Sequence, residues 1–402
     1  AIIGGGIVGA CAGALLVRHS GIDPDRIVLF EPAPPQPVAQ GEPFDLRVSA
    51  LSRASARILA AGGAWPLDVS RVCAYERMRV WHAGIPPMDD GALVFDAAEL
   101  GEADLGCILE NRPVQVALLA SFAQAGGRMV NARPTGLQLS PDAATLTTPA
   151  GELRARLVLA ADGANSQARG WAGLASETHD YKQIAIVATV TTQKPHAATA
   201  WQTFLDTGPL AFLPLADGSS SIVWSCVDAE AQRLLALDPQ QFAQALDIAS
   251  DLALGHTRLV SQRASFPLRS LSAERYVVER CALLGDAAHV IHPLAGQGVN
   301  QGLLDAAALC DSITAGIVHG EDPGALRILR RYERWRRTEN ALMAAVVNQF
   351  DGAFTGRGGL RRQFARRGLS LAAHSTLLRN FFARRALGVS QAELPRFARS
   401  LP

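Results

Sequence analysis

Gly4-Gly5-Gly6-Ile7-Val8-Gly9 constrains this chain more than any other stretch. It matches G-x-G-x-x-G, follows an apolar strand end, and precedes small and apolar residues that predict a helix over 8–19. Asp23-Pro24-Asp25 predicts a turn, and residues 26–30 a second strand closed by Glu31. Glycines between a strand and a helix let the backbone approach a pyrophosphate at the helix N-terminus, where free N–H groups and the dipole favour anions. A carboxylate ending the second strand accepts from ribose hydroxyls. Gly4, Gly6, Gly9 and Glu31 therefore predict a dinucleotide site. A carboxylate disfavours a 2′-phosphate, so FAD or NAD fits this site better than NADP. Ala1-Ile2-Ile3 is short for a strand of about five or six residues, which predicts native residues upstream.

Two further motifs end in aspartate. An apolar strand over 157–160 runs into Asp162-Gly163-Ala164-Asn165-Ser166, and another over 282–284 into Gly285-Asp286-Ala287-Ala288-His289. Ligands of open α/β sheets bind at the carboxyl ends of strands. A single aspartate there is as well read as a helix cap; two of them beside the fingerprint point to one pocket. His292-Pro293-Leu294-Ala295-Gly296-Gln297-Gly298-Val299-Asn300 then leads into an apolar helix to about residue 317. Gly296 and Gly298 let the backbone press against a flat ligand, and the helix aims its positive end there. An isoalloxazine, anionic on reduction, suits that place. His289 and His292 form H-x-x-H, but no third ligand lies near in sequence, so no metal is expected.

In this order, the fingerprint, Asp162-Gly163 and Gly285-Asp286 resemble the single-component FAD-dependent aromatic hydroxylases, the p-hydroxybenzoate hydroxylase-like enzymes. Four segments resemble their ubiquinone-biosynthesis branch: Phe44-Asp45-Leu46-Arg47-Val48-Ser49-Ala50-Leu51-Ser52, Glu110-Asn111-Arg112-Pro113-Val114-Gln115, Gly208-Pro209-Leu210-Ala211-Phe212-Leu213-Pro214-Leu215, and the loop from His292 to Gly302. The resemblance covers roughly residues 1–350. It implies that Arg47 and Gln115 contact the FAD phosphate or ribityl region. Asp162 and Gly163 would serve the FAD and NADPH pyrophosphates, and Gly285 and Asp286 the ribityl chain. His292, Pro293, Gly296, Gln297, Gly298 and Asn300 would form the flavin-ring loop. It also implies the chemistry. NADPH reduces FAD, oxygen adds to the reduced ring, and the flavin hydroperoxide hydroxylates an electron-rich ring, here that of a polyprenylated phenol or benzoquinol precursor of ubiquinone. Such chemistry rests on the cofactor, and no acid or base residue stands out.

The expected fold class is α/β: a Rossmann-like FAD-binding domain, an inserted mainly antiparallel β-sheet substrate domain, and a C-terminal helical segment. The FAD domain is expected to be discontinuous over 1–70, 101–175 and 272–322, with 71–100 and 176–271 forming the substrate domain. Strands over 189–192 and 220–226 and a helix over about 239–253 fit that insertion. Trp201, Phe204, Phe212 and Trp224 are candidate apolar walls of the substrate pocket.

The net charge of +1, from 38 basic and 37 acidic residues, conceals a gradient. Residues 327–385 carry 14 Arg against Glu333, Glu339 and Asp351, a net +11, while residues 1–326 carry −11. A helix over 323–350 opens this segment, with Pro323 at its first position. Arginines interleaved with Leu and Phe to residue 385 form a basic amphipathic segment for an anionic membrane surface or an acidic partner subunit. No recognition motif accompanies them, so nucleic acid is not an expected partner. No run of about 18 apolar residues is present. Six scattered cysteines without C-x-x-C fit a reducing compartment. A cytoplasmic enzyme, peripheral on the inner face of a bacterial membrane, is expected, and homo-oligomers stay open. Competing readings are a same-fold flavin reductase or oxidase, a non-catalytic FAD-bound subunit of a membrane-associated biosynthetic complex, and a plain NAD-dependent dehydrogenase. The last leaves residues 285–300 without a role.

Overall fold

The computed structural model describes residues 1–291, 298–355 and 394–399, the side chains of 342–355 excepted. Its first sheet is six-stranded, in the order Val277–Val278, Cys281–Leu283, Val158–Ala160, Ile2–Ile3, Val28–Phe30, Arg128–Val130. All pairs are parallel except the outer Val277–Val278 hairpin. Parallel strands covered on both faces must be apolar throughout, and Ile2, Ile3, Leu29, Phe30, Val158 and Leu283 are buried. Helix Ile7–His19 has nine consecutive buried residues and packs between helices Asn111–Gln124 and Gly298–Val318. An apolar helix without a polar face has to sit inside.

The second large sheet has nine strands, mainly antiparallel. Its longest strand, Ser176–Thr192, pairs with Ser220–Val227 on one side and Ala264–Ala273 on the other. Gly208–Pro214 and Thr199–Leu205 continue it, and Arg77–His82 adds a parallel strand bonded in turn to Leu93–Asp96. Val72–Tyr75 instead joins Gly106–Glu110 and Val48–Leu51 in a separate three-stranded sheet. Segment 71–100 is thus divided between two sheets. Another three-stranded antiparallel sheet spans Gly136–Leu139, Ala144–Thr148 and Gly151–Ala155. The architecture is the α/β fold with an added antiparallel sheet that the sequence predicts.

One face of the large sheet is covered by two helices, Asp228–Ala236 and Pro239–Ala249. The sequence pattern shows only the second, which starts at a capping box of Asp238 and Gln241 and stops four residues earlier than the pattern suggests. The first begins directly after strand Ser220–Val227, so no turn residues announce it. The opposite face packs Ala200, Met78 and Leu213 against Ile108, Val48 and Ala50 of the small sheet. That side of the large sheet therefore looks toward the FAD-fingerprint body.

The C-terminal helix is Leu326–Thr355 and does not begin at Pro323. Asp322 uses its side chain on Gly324 N (2.9 Å) and on Arg280, forming a turn ahead of the helix. Arg336, grouped above with the basic face, is 3% exposed. Residues 394–399 return to the body: the Arg57 guanidinium donates to the Ala398 carbonyl at 3.0 Å, and Phe397 lies against His19. The basic stretch over 356–393 lies outside the described residues, and among those described no helix is long and apolar enough to cross a membrane.

Candidate active site

Three loops converge on Val8. A Cβ added at Gly302 would collide with its side chain, and one at Gly285 would press on it at 3.1 Å. The fingerprint, the Gly285-Asp286 turn and the helix after the flavin-ring loop thus share one contact. Gly4 has φ +98°, and a Cβ there would strike the Ala161 carbonyl; one on Gly9 would strike the Gly4 carbonyl. A Cβ on Gly6, by contrast, meets nothing within 4 Å. Gly6 is the N-cap of helix Ile7–His19 and no side chain caps it, so the N–H groups of that end face open space.

Glu31 and Gln115 both hold this loop. The Gly5 N–H donates to Glu31 Oε2 at 2.8 Å, and Gln115 Nε2 donates to the Gly5 carbonyl at 2.8 Å. The exposed Arg47 lies close enough to Asp286 to favour its ionised form. Its loop is fixed from behind by Glu110, fully buried, which pairs with Arg71 at 2.7 Å and accepts from Asp45 N at 2.7 Å.

Asp286 sits in the short turn Gly285–Ala287 with its side chain exposed. Surrounding protein nevertheless raises its pKa by desolvation, opposed by His289 and Arg47 and reinforced by Asp305. A water-accessible carboxylate enclosed by protein is the signature of a cleft. Asp162 differs: its Oδ1 accepts from Ser166 Oγ at 2.5 Å and its Oδ2 from Ala168 N at 3.1 Å. It builds the start of helix Gln167–Trp171, while Gly163, at φ +84°, faces open space.

Asn300 has both ends of its amide engaged by residues 50–55. Its side-chain oxygen accepts from Ser52 N (2.9 Å) and Ser55 Oγ (2.6 Å), and its amide donates to the Ala50 carbonyl (2.8 Å). It ties the start of helix Gly298–Val318 to the arginine loop. Among the described residues, a Cβ on Gly298 meets nothing within 4 Å. His292, Pro293, Gly296 and Gln297 lie outside the described residues.

The four candidate wall residues do not share a face. Trp201, Phe212 and Trp224 pack with Trp81, Leu234 and Phe242 in the core beneath the two covering helices, and this corrects their reading as pocket walls. Phe204 points to the opposite face, because residues an odd number apart on a strand alternate. Phe204 pairs with Pro209, and its neighbours on that face by register are Gln202, Ala211 and Val223.

An FAD binding domain model matches residues 127–346. The ubiquinone hydroxylase UbiL of Rhodospirillum rubrum is 35% identical over 100% of this chain and 92% of its own. The 3-demethoxyubiquinol 3-hydroxylase of Escherichia coli is 34% identical over 97% of this chain and 98% of its own. This chain belongs to the ubiquinone-biosynthesis hydroxylases, a branch of the FAD-dependent aromatic monooxygenases. Among solved structures, the p-nitrophenol 4-monooxygenase PnpA of Pseudomonas putida superimposes with a TM-score of 0.73 at 18% identity, over 96% of this chain and 97% of its own. PqsL of P. aeruginosa, in complex with 2-aminobenzoylacetate, gives 0.73 at 23% identity over 92% and 98%. These structural likenesses bear on the fold.

The hydroxylase binds FAD and, like its family, uses NAD(P)H and molecular oxygen. The described residues fit the cofactor: the uncapped end of helix Ile7–His19, space at Gly6 and Gly163, and the Asp286 carboxylate beside Arg47. Among the described residues, no group of three or more His, Cys, Asp or Glu could hold a metal, and His289 is engaged by Asp305. Read from sequence, Asp305 and Ser55 carry no role, Ser52 stands only within a resembling segment, and Arg336 is grouped with the basic stretch. For Asp305 a signal exists: it is a lone carboxylate amid Leu303, Leu304, Ala306 and Ala307.

Proposed function

We propose that this hydroxylase inserts oxygen into the aromatic ring of a polyprenylated phenol or benzoquinol, a precursor in ubiquinone biosynthesis. The observation that carries this is near full-length similarity, at 35% and 34% identity, to two proteins named for hydroxylating ubiquinone-type rings. Bound FAD supplies the activation of oxygen, with electrons from NADPH. The chain's own residues bind, orient and exclude water. Gly4, Gly6 and Gly9 would seat the diphosphate at the open end of helix Ile7–His19, with Glu31 toward the adenosine ribose. Gln115 would keep the Gly5 carbonyl turned away from that phosphate. Arg47 and Asp286, near enough for Arg47 to favour the ionised carboxylate, would serve the ribityl region, and Asp162 with Gly163 would shape the neighbouring pyrophosphate space. Phe204, Ala211 and Val223 would give the ring an apolar wall, with the Gln202 amide as its polar point. An apolar wall keeps water from the reacting ring and leaves room for a hydrocarbon tail.

The test is purified holoenzyme with NADPH, oxygen and short-chain prenylphenols. Hydroxylated product in step with NADPH oxidation supports the reading. NADPH oxidation without that product moves the chain to the reductases or oxidases. A yellow protein that never turns over is the scaffold, and a chain that takes up no FAD ends the reading.

The partner of the C-terminal helix is an anionic lipid surface. Arg327, Arg330, Arg334 and Arg337 are all exposed, at a 3-4-3 spacing that lines one face of Leu326–Thr355. At 1.5 Å per residue the stripe is about 15 Å long. Each basic side chain near such a surface contributes roughly 1 kcal/mol. An enzyme held there meets substrates whose tails reside in the bilayer. R330E/R334E should lose sedimentation with phosphatidylserine vesicles and keep turnover on a short-tailed phenol. Unchanged sedimentation, or a stripe that instead captures an acidic protein in the absence of lipid, ends the lipid assignment.

A further inference from the structure

Asp305 lies in helix Gly298–Val318 with no exposed surface. Its Oδ2 accepts from the Gly285 N–H at 3.1 Å and meets His289 Nε2 at 2.5 Å. Its Oδ1 accepts from Arg336 Nε at 2.8 Å and from Asn340 Nδ2 at 3.4 Å. Arg336, from the C-terminal helix, also donates to Gln301 Oε1 at 2.7 Å and to Asn340 Oδ1 at 2.9 Å. Tyr276 stacks on His289 at 5.8 Å between centroids, and Tyr332 Oη donates to the Leu283 carbonyl at 2.7 Å. Two separate segments, 285–289 and 336–340, thus end on a single residue.

An ionised carboxylate inside a protein is costly unless paired, and a hydrophobic cluster of the same size is often at least as stable. Stability alone is therefore a weak reason for this arrangement. Its geometry supplies a better one. Gly285 and His289 bracket Asp286, and the same carboxylate grips the backbone of one and the ring of the other. Gly302, one turn before Asp305, packs against Val8 of the fingerprint and lies beside Gly285. A shift of Asp305 would move the Asp286 turn relative to the uncapped end of helix Ile7–His19.

We propose that Asp305, His289 and Arg336 are positioning residues of the flavin cradle. Asp305 holds the Gly285–Ala287 turn from behind, and Arg336 is the counter-charge that the C-terminal helix supplies. Flavin retention is thereby tied to the docking of the C-terminal helix. The inference rests on the reading of Asp286 as a flavin contact, and the controls separate the two.

The test uses the full chain and two readouts: the FAD Kd from flavin fluorescence, and the Tm of the apoprotein. R336M should raise the FAD Kd tenfold or more and lower Tm, and R336K should restore part of both. D305L/R336M removes both charges together, so Tm should recover relative to R336M while the FAD Kd stays raised and the visible circular dichroism of the bound flavin stays altered. A Kd that returns to wild type along with Tm would mean that the network only stabilises the fold, and would overturn the proposal. H289F covers the case in which the double variant does not fold. It leaves Asp305 paired with Arg336 and should weaken FAD several-fold with a smaller loss of Tm than R336M, and an unchanged Kd in H289F overturns the proposal equally. If D286A leaves the FAD Kd at wild type, the reading of Asp286 has failed, and with it the reason for the network.

Discussion

Asp162 and Asp286 stand at the ends of neighbouring parallel strands, Val158–Ala160 and Cys281–Leu283, which pair residue for residue. In sequence they look like one device used twice. Their glycines explain why they are not. Gly163 follows its aspartate at φ +84° and folds the chain back, so the Asp162 carboxylate reaches Ser166 and Ala168 and closes its own turn. Gly285 precedes its aspartate at φ +55° and is gripped by Asp305, so Asp286 is left at the apex facing the cleft. The order of two residues decides whether a carboxylate shapes its own backbone or waits for a ligand.

The sharpest way to break this contrast is to delete both side chains in turn. D286A should weaken FAD by roughly 10- to 100-fold, the equivalent of a hydrogen bond to a charged group at about 1.5–3 kcal/mol. D162A should change the FAD Kd far less. Equal losses, read by fluorescence titration, would return the two aspartates to a single role.

A second pair extends the lesson to the substrate sheet. Phe204 and Phe212 are both nearly buried, at 6% and 2% exposure, yet they point to opposite faces. F212L should lower Tm, at a cost of up to roughly 1.5 kcal/mol, and leave the KM for a prenylphenol unchanged. F204L should move that KM several-fold at similar or smaller cost in Tm. A KM that responds to F212L and not to F204L would reverse the assignment of faces.

For Asp162 itself the expected loss is one of stability. D162A removes acceptors from a helix start and should cost about 1 kcal/mol, seen as a lower Tm of the apoprotein. S166A, which removes the hydroxyl that Arg169 N and Asp162 share, should do the same and add little to D162A, because both act on one turn. Fully additive losses would argue against a shared turn.

These pairs also mark how far the sequence carries. The fingerprint, the two aspartate motifs and the antiparallel insertion are local patterns, legible because glycine spacing and strand alternation are themselves local. The parity of Trp201 and Phe204, three residues apart, was legible too and already forbids a common wall. Asn300 and Asp305 were not legible as they stand. Asn300 bonds to residues 245–250 positions away, and Asp305 to Arg336 on a helix where Arg327, Arg330, Arg334 and Arg337 are exposed. Helical spacing shows which side Arg336 takes, but the carboxylate waiting there appears only when the elements are assembled.

The smallest expected effect concerns the proton on Asp286. Desolvation by the surrounding protein holds its carboxyl above the ordinary value of 3.8 in the folded apoprotein. A raised folded pKa means that the ionised group disfavours folding. That cost is fully present above the folded pKa and disappears as pH falls below the ordinary value. D286N should therefore raise the apoprotein Tm slightly at neutral pH, and the two melting curves should converge in acid. Asp305 titrates with the opposite sign. Burial would raise it, but His289 and Arg336 prevail and hold it at about 2, so its contribution is present above the ordinary value of 3.8 and is lost as pH falls through about 2. Wild type and D286N carry Asp305 alike, so the difference between their Tm values isolates Asp286. A gap of constant size from neutral pH to acid would mean that the asparagine acts by packing, and that Asp286 is as settled in its turn as Asp162.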